Sequence, residues 1–131
     1  MKHFGLDVHQ VRTTVVWIDD ETGEISPSRS LANAEIASYL QSFEGPCRVV
    51  METGSTSSFL ARQWNSLGIE AVVVDAHKAH GVLAPLHRGK KTDRVDAAGL
   101  AKLSARQWLA DLVVWVPDEA THQLRLLTRT R

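Results

Sequence analysis

The stretch CRVVMETGSTSSFLARQWNSLGIEAVVVD, Cys47 to Asp75, decides the fold class. It opens with a short β-branched run, Cys47 to Glu52, that reads as a strand. From Ser55 to Leu67 the period changes. Phe59, Leu60, Gln63, Trp64 and Leu67 fall at helical spacing, and Gly68 follows as the residue that ends a helix. Ile69 to Asp75 is then a nearly uninterrupted apolar run, as expected of a buried parallel strand. Strand, helix and strand in this order form a crossover unit, so the chain is an α/β protein.

On the N-terminal side, HFGLDVH (His3 to His9) and VRTTVVWID (Val11 to Asp19) read as two strands. DDETGE supplies the turn after them. EISPSRSL returns as a third strand that Pro27 places at an edge or ends early. Asn33 is then the expected N-cap of a helix carrying Ile36, Tyr39, Leu40 and Phe43 on one face, stopped by Gly45 and Pro46. On the C-terminal side, AHKAHGVLAPLHR reads as a weak helix broken by Gly81 and Pro85. A further helix starts with Thr92 as its cap and runs to about Ala105. Leu112 to Val116 reads as another strand, and Pro117 with Asp118 opens a last helix. The expected architecture is a mixed sheet, a three-strand antiparallel meander followed by parallel α/β crossovers, with helices on both faces. Residues 1–116 are expected to form one domain. THQLRLLTRTR reads as the middle of an amphipathic helix, so 117–131 is the expected start of a helix connecting to a further, C-terminal domain.

At 131 residues and 44% hydrophobic, the chain can bury a core without staples. Fifteen basic residues balance fifteen acidic ones, so net charge is silent on nucleic acid and only local charge can speak. Cys47 is the single cysteine, which excludes an internal disulfide and a thiolate zinc site. It is expected as a small buried residue at the start of its strand. Trp17, Trp64, Trp108 and Trp115 are too scattered for a stacking stripe and read as core or interface anchors. No secretory signal or membrane-length apolar run is visible, so a cytoplasmic location and no membrane partner are the default expectations.

The acidic residues fall at suggestive places. Asp7 sits inside an apolar strand, where a carboxylate is costly unless paired or bound to a metal. Glu52 ends a parallel strand, the end that faces the ligand crevice in open α/β sheets. Asp93 and Asp96 stand three apart at the start of a helix and would share a face. Each has an ordinary reading: a turn residue, a loop start, a helix-dipole partner, a surface ion pair with Lys91 or Lys102. Their conjunction points to a hard-oxygen site for Mg²⁺ or Mn²⁺. Arg88, Lys90, Lys91 and Arg94 surround the last two acids and suit phosphate contacts beside such a site, with Lys78 and Arg106 as extensions. The alternative for these bases is a solvated loop. His77 and His80 share a helical face without acidic company and read as surface or nucleic-acid-facing residues.

GLDVH around Asp7, METGSTSSFLARQWNSLGIEAVVVDAHKAH around Glu52 and KKTDRVDAAGLAKLSA together resemble the DEDD-type transposases and invertases of insertion sequences, relatives of the pilin-gene inverting proteins. The resemblance implies a RuvC-like, ribonuclease-H-like fold and a catalytic, metal-binding tetrad at Asp7, Glu52, Asp93 and Asp96. It implies DNA as partner and divalent-metal-dependent strand cleavage and rejoining during transposition or inversion. It also implies a structured guide RNA as a partner in some members, a C-terminal domain with a catalytic serine, and a homo-oligomer in the full-length protein. Two departures stand out. His9 and Gln10 follow Asp7-Val8 where members often carry a small residue and a lysine, and Ser-Thr-Ser-Ser precedes Phe59 where an aromatic often comes sooner. A competing class, the actin and sugar-kinase ATP-binding domains, shares the Gly-x-Asp opening but needs a second glycine-rich phosphate loop that this sequence lacks. A third reading is a non-catalytic nucleic-acid-binding scaffold on the same fold.

Overall fold

The computed structural model describes residues 1–86 and 96–114. Its frame is a five-stranded sheet in the order β3-β2-β1-β4-β5. The strands are β1 (Lys2–Val8), β2 (Arg12–Asp19), β3 (Arg29–Ala32), β4 (Cys47–Glu52) and β5 (Glu70–Val74). β1 pairs antiparallel with β2, and β2 antiparallel with β3. β1 to β4 and β4 to β5 are parallel. This is the mixed α/β sheet expected of a RuvC-like domain, with the meander on one side and the crossovers on the other. β3 occupies the edge and is shorter than the sequence suggests: it begins only after Pro27, and Ile25 before it makes just an isolated bridge to Ile18.

Two cores form because side chains alternate along each strand. Phe4 and Leu6 of β1, Val49 and Met51 of β4 and Val73 of β5 point to one face. There they pack against Ile36 and Leu40 of α1 (Ile36–Gln41) and Ala61 and Trp64 of α2 (Ser57–Ser66). Val50, Val72 and Val74 point to the other face. They meet Ala79 and Leu83 of α3 (Ala76–Leu83) and Leu100 and Leu103 of α4 (Ala97–Ala105). Each fully buried aliphatic side chain contributes about 1.5–3 kcal/mol of transfer free energy.

α4 lies directly on β1. A β-carbon added to Gly5 would run into the Ala97 carbonyl oxygen and come within 2.6 Å of the Ala101 nitrogen, so only glycine allows this approach. Two residues earlier on the same face, His3 is wholly buried. Its Nε2–H donates to Asp20 Oδ2 at 2.8 Å, since a carboxylate only accepts. In the neutral ring, Nδ1 then accepts from the Ser104 hydroxyl at 2.6 Å. His3 meets residue 104 and Gly5 meets residues 97 and 101. α4 therefore runs antiparallel to β1, with its N-terminus at the strand's carboxyl end.

Several local expectations are corrected. Asn33 does not cap a helix; residues Asn33–Glu35 form a 3-10 turn and α1 starts only at Ile36. The Asn33 side chain is engaged by the β1–β2 turn instead. Phe59 and Leu67 are 63% and 47% exposed, because α2 buries the Ser57, Ala61 and Trp64 face. Gly81 does not break α3, which ends in the 3-10 turn Ala84–Leu86 around Pro85. α4 begins at an Asp96 cap, and Thr92 lies outside the described residues. Within Leu112 to Val116, the described part makes a single bridge, Val74 to Val113. Trp115, Val116 and 117–131 lie outside the described residues. Cys47 is half-buried, and that burial pushes its thiol pKa up. Gly68, at φ +83°, does end α2 as expected.

Candidate functional site

The parallel ladder between β1 and β4 runs from Lys2 opposite Cys47 to Leu6 opposite Met51. One step further along both strands stand Asp7 and Glu52. Side chains at one level of a parallel pair project to the same side, and alternation puts Asp7 with Gly5 and Glu52 with Val50. Both carboxylates therefore leave the sheet on the α4 face, from neighbouring strands about 4.8 Å apart. They line one cavity of about 370 Å³. Asp7 is largely shielded, at 23% exposure, and Glu52 Oε1 is withdrawn from solvent.

The rest of the cavity wall comes from two turns. After β1 the chain reverses through His9 and Gln10, with the His9 amide donating to the Arg12 carbonyl at 3.0 Å. His9 Nε2 lies 3.1 Å from Asp7 Oδ2. After β4, the Thr53 amide donates to the Val74 carbonyl at 2.9 Å, which carries the parallel pairing one residue beyond Glu52. Thr53 to Ser57 then turns into α2 and lines the cavity. The buried Ser57 hydroxyl ties that turn together, accepting from the Gly54 amide and donating to the Gly54 carbonyl, both at 3.0 Å.

Asp96 is exposed and has extended backbone angles (φ −80°, ψ 174°). Its Oδ1 accepts from the Gly99 amide at 2.7 Å, so it is the N-cap of α4. Because α4 is antiparallel to β1, this cap lies toward the end of the sheet where Asp7 and Glu52 stand. Among the described residues, no group of three or more His, Cys, Asp or Glu is close enough to hold a metal ion. Asp93 and the basic residues Arg88, Lys90, Lys91 and Arg94 lie outside the described residues. On α3, His77 and Lys78 are exposed and Asp75 caps the helix, accepting from the Lys78 amide at 2.9 Å.

Sequence reasoning passed over Asn33 and the Thr53–Ser57 turn as contributors to this end of the sheet. The signal for the turn was present, since any residues that follow a parallel strand must border its crevice. No helix among the described residues is long and apolar enough to cross a membrane. No curated protein matches the chain. The family model for DEDD transposases of the IS110 type, described as Transposase, matches residues 4–131, and the chain belongs to that family.

Proposed function

We propose that this transposase domain carries an acidic, metal-holding centre for DNA strand cleavage and rejoining, built from Asp7, Glu52, Asp93 and Asp96. The observation that supports it best is the placement of Asp7 and Glu52 at one level of adjacent parallel strands, on one face and in one cavity. Their partly shielded, oxygen-only donors suit a hard divalent cation such as Mg²⁺ or Mn²⁺. A bound cation of this kind would stabilise the charge that builds on a phosphodiester's oxygens as it is attacked.

The chain's own residues do the rest. Asp7 and Glu52 are held by the sheet, so their spacing changes little when DNA arrives. Asp96 extends the acidic end of the site from α4, one carboxylate oxygen being committed to the cap. Arg88, Lys90, Lys91 and Arg94 neutralise the DNA phosphates beside the acids. In this reading residues 1–116 are the catalytic domain and 117–131 begin the helix to a second domain. That domain would supply the nucleophile of a composite site, within a homo-oligomer in the cytoplasm that some guide RNA directs. Asp7→Asn in the full-length protein tests the centre. Strand cleavage is expected to vanish while circular dichroism and the melting temperature stay unchanged, and retained cleavage would refute the reading.

A further inference from the structure

The β1–β2 turn is more firmly held than a surface hairpin needs to be. The Asn33 amide nitrogen Nδ2 donates to the His9 carbonyl at 2.8 Å and to the Gln10 carbonyl at 3.3 Å. Its Oδ1 accepts from the Thr13 hydroxyl at 2.6 Å, and Thr13 is almost wholly buried. The Asn33 backbone N–H donates to the Val11 carbonyl at 2.9 Å. An asparagine at the start of a helical segment ordinarily caps it. Here the cap is forgone, and every polar group of the side chain is used on Thr13 and on the turn that carries His9.

What the turn presents is the imidazole of His9, with Nε2 3.1 Å from Asp7 Oδ2. The carboxylate can only accept, so the Nε2–H of His9 donates to it. His9 is half exposed and belongs to neither core cluster, so core packing does not explain its orientation. We infer that His9 is a positioning residue for Asp7, fixing the plane of its carboxylate, and that Asn33 fixes His9 through the turn. The inference rests on the proposal that Asp7 holds a metal ion. Groups that orient a ligand in this way commonly change metal affinity by ten- to a hundredfold when removed.

The test uses Mn²⁺ alone as the probe, titrated calorimetrically into the full-length protein. His9→Ala is expected to raise the Mn²⁺ Kd about tenfold. His9→Gln, whose amide can still donate, should restore most of the affinity, and Asn33→Ala should show an intermediate loss. Melting temperatures of the His9 variants should match the wild type, which separates positioning from folding. A second readout needs no metal: ring nitrogen shifts should show a hydrogen-bonded Nε2–H on His9, and Asp7→Ala should abolish that hydrogen bond. If Asp7→Ala abolishes Mn²⁺ binding while His9→Ala leaves it intact, the positioning role is overturned and the acidic centre stands. Unaltered Mn²⁺ binding in Asp7→Ala overturns both. A wild-type His9 ring with no proton on Nε2 overturns the positioning role by itself.

Discussion

Gly5 and Ala97 meet backbone against backbone where α4 crosses β1. A β-carbon at residue 5 would strike the Ala97 carbonyl oxygen and approach the Ala101 nitrogen to 2.6 Å. Neither obstacle is a flexible side chain that could swing aside. Gly5→Ala must therefore lift α4 or bend β1, and overpacking of this kind costs about 1–3 kcal/mol or more. Urea unfolding of the variant should show a midpoint lowered accordingly. If Asp96 belongs to the acidic centre proposed above, strand cleavage should fall further than the loss of folded protein accounts for, because α4 positions it.

Asp96 combines two roles that one pair of substitutions separates. As the cap of α4 it is replaceable by asparagine, which caps equally well. Asp96→Asn should leave urea stability within about 0.5 kcal/mol of wild type, while Asp96→Ala should lose about 1 kcal/mol. If the carboxylate charge belongs to the acidic centre, both variants should lose DNA cleavage in the full-length protein. Cleavage by Asp96→Asn at the wild-type rate would restrict Asp96 to capping.

Asp20 sets an acid limit to stability. The hydrogen bond from His3, followed by that from the Met1 amine, holds its carboxyl pKa below the ordinary value. A carboxylate with a lowered folded-state pKa contributes stability in full above the unfolded value, about 3.9. That contribution is lost as the pH falls through the lower folded-state value. Asp19 is lowered too, mainly through the Glu21 amide, so it adds its own share to the acid limb. Melting temperatures measured between about pH 5 and pH 2 should therefore fall more steeply for the wild type than for Asp20→Asn. Equal slopes would show that the Asp20 contacts do not distinguish the folded from the unfolded chain.

Much of the fold was legible because β-branched runs and glycines mark it locally. Val49 to Met51 and Ala71 to Val74 read as strands from their own composition, and Gly68 ends α2 through its own backbone. The misreadings share a cause, which is a partner distant in sequence. Asn33 reads as a helix cap until the β1–β2 turn is placed beside it. Phe59 and Leu67 fit helical spacing as well as Ala61 and Trp64 do, and only the position of the sheet selects the buried face. Thr92 and Asp96 are both capping residue types before an apolar run, and spacing cannot choose between them. At the candidate site, the carboxyl ends of β1 and β4 could be read from strand boundaries, so Asp7 and Glu52 could be nominated. Their common level and common face needed the register. The direction of α4, which brings Asp96 toward them, follows from Gly5 and His3, two residues that carry no charge pattern to announce it.

The wide sequence separation between α4 and β1 also has a consequence in time. His3 and Ser104 are 101 positions apart, whereas β1, β2 and β3 are joined by turns. During synthesis the meander, β4 and β5 leave the ribosome first, and contacts between distant segments close late. A nascent chain that has extended only through α3 contains Asp7 and Glu52 but neither Asp93 nor Asp96. On the function proposed above, the acidic set would be complete only once α4 has emerged and settled over Gly5.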